Sequence, residues 1–234
     1  MRIRKRFCGK LNGSKNSDMR LARHTHNRPL LHPVIRLPLS AFLLVFCCLV
    51  ALTGCSRKMP VLQKFSSPPE QAACKIAILP FTDQGSYPEG SEIFYKIFFT
   101  ELVSSGHFTV IPEGNVRDLY KQLKMYPNRQ PRQDQLEIIG GRLGATLFIG
   151  GDILSMKEES DGTRKKTQLT VVLHLYDART GKIFWATYHR RQGHEYHQVL
   201  HFGRINTITT LARQMADEII DLWRENGLQS CPSK

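Results

Sequence analysis

Apolar positions fall into two regimes along the chain. From Leu37 to Ala51 they are nearly continuous, whereas beyond Lys75 they come in short runs and at regular spacings. The run Lys75-Ile76-Ala77-Ile78-Leu79-Pro80-Phe81 is short, apolar and stopped by proline, which predicts a buried strand. A polar loop, Thr82 to Gly90, leads to Ser91, a helix cap with Glu92 complementing the N-terminal dipole. Ile93, Phe94, Ile97, Phe98 and Leu102 then share one helical face, and Gly106 ends it. Phe108 to Ile111 predicts a second strand. Glu113 to Lys124 and Arg132 to Leu143 predict helices, the first turning Val116, Leu119, Tyr120 and Leu123 inward, the second carrying Leu136, Ile138 and Ile139.

The second half reads as a meander. Ala145 to Met156 predicts a strand in which Gly150-Gly151 marks a bulge or a close approach of backbones. Lys157 to Lys166 is a charged hairpin tip with Asp161-Gly162 at its turn. Leu169, Val171, Leu173 and Leu175 alternate with Gln168, Thr170, His174 and Tyr176, the pattern of a half-buried strand. Asp177 to Lys182 is a tight turn using Gly181, and Ile183 to Arg191 returns. Ile205, Ile208, Leu211, Met215, Ile219 and Leu222 form the stripe of a closing helix with Gly227 as C-cap. The order β-α-β-α-α-β-β-β-α predicts an α/β sandwich with a mixed sheet, a single domain over 75–228 and a tail over 229–234.

The first regime is a different kind of segment. Residues 1–36 hold ten Lys or Arg against one acid, Asp18, and lead into the apolar run and then Leu52-Thr53-Gly54-Cys55. A basic lead, an apolar core and a small-residue site describe a signal peptide over 1–54. The basic lead is long, and Met19 offers a second start that would make 1–18 an extension. The competing reading is a membrane-spanning anchor, but Leu37 to Leu52 is 16 residues, roughly 24 Å of helix against a ~30 Å hydrocarbon core. Leu52-Thr53-Gly54-Cys55 resembles the bacterial lipobox. That resemblance implies cleavage between Gly54 and Cys55 and a diacylglyceryl thioether on Cys55. Ser56, where an aspartate would mark retention in the inner membrane, implies an outer-membrane, periplasm-facing location.

Removing the leader changes the charge. Of the chain's net +13, the first 36 residues carry +9, leaving +4 on the mature part. That is an ordinary solvated surface and argues against nucleic acid as a partner; Arg164-Lys165-Lys166 and Arg190-Arg191 read as exposed strand ends. Two mature cysteines remain besides Cys55. Cys74 and Cys231 form a candidate disulfide, allowed in an oxidising compartment and worth at most ~5 kcal/mol across so long a loop. Ser56 to Ala73, with Pro60, Ser66, Ser67, Pro68 and Pro69, reads as a linker that completes the 55–74 segment, with a reach of ~60 Å at full extension.

The Ile-Ala-Ile-Leu-Pro-Phe strand at 76–81, Gly-Ala-Thr-Leu-Phe-Ile-Gly-Gly-Asp at 144–152 and Leu-Tyr-Asp-Ala-Arg-Thr-Gly-Lys-Ile-Phe-Trp-Ala at 175–186 come in this order after a lipobox. Together they resemble the envelope lipoproteins grouped around CsgG and LpoB, whose domain is similar to the N-terminal domain of TolB. The resemblance implies a TolB-like α/β fold and a non-catalytic accessory protein of envelope assembly or export. The alternative within the group is an activator of a penicillin-binding-protein peptidoglycan synthase. It implies an envelope protein as partner, leaves a homo-oligomer open and calls for no cofactor.

Chemistry is sparse. Gly-x-Ser-x-Gly, the Walker loop and the Rossmann fingerprint are missing from the sequence. One cluster offers metal ligands: His189, His194, His197 and His201, with Glu195 among them. Its His-Glu-x-His spacing departs from the zincin His-Glu-x-x-His, so His194, His197 and His201 are weak ligand candidates. A metal-dependent hydrolase is the second alternative they carry. Trp185, Tyr188 and Trp223 read as packing residues.

Overall fold

The protein is described by a computed structural model, covering residues 59–68, 75–162, 164–197 and 202–228. The chain divides into two units, Met1–Ser56 and Arg57–Lys234, and every described residue belongs to the second. Cys55, Cys74, His201 and Cys231 lie outside the described residues.

Six strands form one mixed sheet: β1 (Val61–Lys64), β2 (Ile76–Ile78), β3 (Thr82–Asp83), β4 (Leu147–Asp161), β5 (Arg164–Asp177) and β6 (Ile183–Gln192). Their order is β1-β6-β5-β4-β2, with β3 pairing further along β4. β2 and β3 run parallel to β4, and the other pairs are antiparallel. Among the described residues the α-helices are α1 (Gly90–Ser104), α2 (Glu113–Gln122), α3 (Gln133–Leu143) and α4 (Ile208–Glu225). This is the expected mixed-sheet α/β sandwich.

Side-chain alternation sorts the layers. Ile76, Ile78, Leu147, Ile149 and the Leu169–Leu175 row face α1 and α4. Ala77 and Phe148 point the other way, into a second cluster with Val116 and Leu119 of α2 and Leu136 and Ile139 of α3. Being covered on both faces, β2 reads as a continuous apolar run rather than an alternating one. Phe98 of α1 meets Trp223 of α4 edge-on at 6.0 Å, joining the two helices over the larger core. Trp223 also donates its indole N–H to Thr187 Oγ1 at 2.7 Å. Thr187→Val would leave that buried donor unmade, so we expect a loss of about 1–3 kcal/mol, read as a lower urea midpoint with an unchanged slope.

Several elements depart from the sequence reading. The 56–73 linker contains β1, paired antiparallel with β6 from Val61↔Tyr188 to Lys64↔Trp185. Four residues between proline and serine are too few to show a period, so only the waiting edge of β6 reveals the strand. The Phe108–Ile111 strand shrinks to one parallel bridge, Ile76↔Val110, because Pro112 follows at once and takes the N-cap of α2. A two-residue strand, β3, replaces the start of the loop expected after Phe81. α1 starts at Gly90 with Glu89 at φ 55 as its cap residue, so Ser91 is not the cap.

The charged segment 157–166 is paired strand almost to its turn, up to Asp161↔Arg164, rather than a loose tip. Near that end the Glu158 carboxylate accepts from the Ile208 N–H at 2.9 Å, placing a negative charge on the N-terminus of α4. That helix therefore starts at Ile208, and Ile205 precedes it. The β4 irregularity falls at Ile153/Ser155, and Gly151 is the close approach: a Cβ there would sit 2.4 Å from the Val172 carbonyl oxygen.

Candidate functional site

β6 turns Trp185, Thr187, His189 and Arg191 toward α4, and all four are buried. The last two meet Glu218, an acid on the buried side of α4 that is 9% exposed. His189 Nε2 lies 2.6 Å from Glu218 Oε2. Arg191 donates Nε to Oε2 at 3.1 Å and a terminal nitrogen to Oε1 at 2.9 Å. Tyr196, in a single 3-10 turn over Gly193–Tyr196, donates its hydroxyl to Oε1 at 3.1 Å, and its ring lies 4.8 Å from the Arg191 guanidinium. Burial alone pushes the Glu218 carboxyl up, but the bonds from His189 and Arg191 more than reverse this and hold it at about 2. Burial also pushes the Tyr196 hydroxyl up, so it remains a donor.

This geometry redistributes the expected histidine cluster. His189 is spent on Glu218, inside the core. His194 and His197 lie in the exposed connection after β6. No group of three His, Cys, Asp or Glu able to hold a metal occurs among the described residues. The separation follows from strand alternation, which buries position 189, while the 3-10 turn carries 194 outward. Sequence reasoning missed Glu218. Its signal was present in two places, an acid set among Met215 and Ile219, and polar residues at every inward position of β6 after Trp185.

The opposite sheet face carries a second polar set. Thr82 Oγ1 and Gln130 Nε2 both donate to the Asp152 carboxylate, the latter at 3.0 Å, and Tyr176 Oη donates to Gln130 Oε1 at 3.1 Å. His174 packs beside Tyr176 with ring centroids 5.8 Å apart, and burial holds its pKa below the usual histidine value against the pull of Asp152. Burial pushes the Tyr176 hydroxyl up to about 12. These groups tie the loop before α3 to the sheet.

The half of this face toward β1 is open. One row crosses four strands, Val61, Tyr188, Val172 and Asp152. Val61 is 63% exposed and Tyr188 is 43% exposed. Tyr188, expected as a packing residue, is on the surface, whereas Trp185 and Trp223 are in the core. Near the other edge, a cavity of about 610 Å³ between α1 and α2 is floored by Phe81, Tyr95, Val116 and Tyr120, with Glu92 and Arg117 at its lining. Its size and apolar floor suit an amphipathic segment or small molecule. Burial raises both tyrosine hydroxyls, so they stay protonated.

The arrangement as a whole is an α/β domain in which the buried Glu218, Arg191 and His189 are bonded to one another and whose open surfaces suit binding. The family described as peptidoglycan-synthase activator LpoB matches residues 91–190, from α1 to β6, which is less than half of the chain. Over those residues the chain is LpoB-like, and the LpoB side of the expected resemblance stands on this match.

No curated protein matches the chain. Among solved structures, the PelC dodecamer from Paraburkholderia phytofirmans is 15% identical with a TM-score of 0.50, covering 74% of this chain and 100% of that one. Lipoprotein GNA1162 from Neisseria meningitidis is 15% identical with a TM-score of 0.46, over 65% and 99%. LpoB from Escherichia coli is 12% identical with a TM-score of 0.40, over 80% and 96%. At 15% identity the likeness to PelC shows the fold alone.

Proposed function

We propose that this chain is a non-catalytic lipoprotein, held in the outer membrane by acyl chains on Cys55 and facing the periplasm, that binds another envelope component to assist assembly or export. The observation that carries this reading is the match of residues 91–190 to a family described by what it does to another protein, activating a synthase. The internal pairing of His189, Arg191, Tyr196 and Glu218 supports it, since this buried polar cluster is spent on the fold.

The same match favours a second reading, activation of a penicillin-binding-protein synthase. Tether length weighs against a long reach. With β1 docked on β6, only Ser56 to Pro60 separate Cys55 from the first strand. Six Cα steps extend at most ~22 Å, against the ~60 Å of the 18-residue linker read from sequence.

Affinity capture of the intact lipoprotein from crosslinked membranes of its host, with mass spectrometry of what accompanies it, separates the readings. Export or polysaccharide machinery is the expected result for the assembly accessory. A peptidoglycan synthase would replace it with the activator. Copurifying substrate turnover by the chain itself would overturn both.

A further inference from the structure

The first strand after the expected lipid attachment exposes apolar side chains at one corner of the sheet. Met59 is 52% exposed, Val61 63% and Phe65 58%, and Tyr188, in register with Val61, is 43% exposed. Exposed apolar residues scattered over a surface are ordinary. These differ in lying on, or directly beside, a stretch that begins four residues after Cys55.

The strand also cannot pay out to lengthen the tether. Leu62 packs against the large core, Lys64 Nζ lies 5.4 Å over the Trp185 ring and donates to the Asn226 carbonyl, and the Phe65 N–H bonds the Phe184 carbonyl at 2.8 Å. Acyl chains on Cys55 would therefore keep Val61, at the start of this strand, within ~22 Å of the lipid at full extension, and nearer for any bent path. The chemistry matches a bilayer surface. Tyrosine favours the headgroup level, with its ring in apolar surroundings and its hydroxyl in water. Arg190, exposed on β6 two residues from Tyr188, adds a cation suited to anionic headgroups.

We propose that the β1–β6 corner rests on the membrane, with Met59, Val61, Phe65 and Tyr188 at the headgroup boundary. The lipid anchor then becomes a two-point attachment that fixes the domain's orientation and turns the β2 edge, with the α1–α2 cavity, away from the bilayer. This rests on the reading that Cys55 is acylated.

The test uses the full mature lipoprotein in phosphatidylethanolamine–phosphatidylglycerol vesicles with brominated acyl chains, which quench nearby tryptophan. Phe65→Trp and Tyr188→Trp report from the corner. Tyr126→Trp, at a 70% exposed position after α2, reports from the far edge. The native Trp185 and Trp223 are each 1% exposed and are subtracted using the unsubstituted chain. The expected result is loss of the added emission for Phe65→Trp and Tyr188→Trp, with that of Tyr126→Trp retained. Equal quenching at all three positions, or none at the corner of an acylated chain, overturns the orientation while leaving the anchor intact. Protection of the corner that follows protein concentration and not lipid assigns it to a second copy of the chain and likewise overturns the proposal. An intact mass lacking acyl chains on Cys55 overturns the anchor reading and this inference together.

Discussion

Glu218→Gln is expected to destabilise the domain by about 3–5 kcal/mol, toward the lower end of that range, because it strips a buried guanidinium of its main counter-charge. Arg191 is 2% exposed and His189 also 2% exposed, so neither can recover its hydration without opening the β6–α4 contact. The lower end is favoured because Glu195 stands 3.8 Å from Arg191 and retains part of the compensation. For a domain of this size the loss corresponds to a fall in Tm of roughly 6–12 °C, measurable by calorimetry.

The same substitution has a pH signature. The folded carboxyl is depressed to about 2 from an ordinary 4.5, so its contribution is fully present above 4.5 and lost as pH falls toward 2. The unsubstituted protein should lose stability through that window more steeply than Glu218→Gln does. Parallel acid limbs for the two proteins would mean that Glu218 is not ionised and bonded as described.

Gly140→Ala should cost at least about 2 kcal/mol, and Gly141→Ala, one residue on, should stabilise by up to about 1 kcal/mol. Helix propensity alone favours alanine at both sites. At Gly140 a Cβ would stand 2.1 Å from the Ala178 carbonyl oxygen, whereas at Gly141 nothing lies within 4 Å. The Ala178 backbone cannot readily yield. Its N–H bonds the Thr146 carbonyl, and its turn is closed by the Asp177 N–H to the Lys182 carbonyl and by Arg179 and Thr180 on the Asp177 carboxylate. α3 would have to lift off Phe148 and Ala77 instead. Urea denaturation of the pair decides it, and stabilisation at both positions would show that α3 does not approach the turn this closely.

Much of the fold was legible because its strongest signals are local. The β5 alternation, the proline-stopped β2 run and the α4 stripe each name a buried face without knowledge of what covers it. β1 was not legible, since Val61–Lys64 carries too little pattern to stand out and is a strand only because β6 offers a free edge. Phe108–Ile111 erred in the opposite sense, having strand-like residues but one bridge's worth of partner before Pro112. The candidate site shows the same division. Four histidines close in sequence suggested one cluster, yet strand alternation sends His189 inward to an acid 29 residues away while His194 and His197 stay at the surface.

The sequence by itself determined the α/β class, the inward stripe of α4 and the turn at Asp177–Lys182, because periodicity and backbone-permissive residues act over a few residues. Only the tertiary structure decided that Glu218 pairs with Arg191 and His189, that Gly140 must lack a side chain, and that Val61–Lys64 is strand and not linker. Each of those depends on what a distant part of the chain places opposite, and desolvation, steric contact and edge pairing exist only once that partner has arrived.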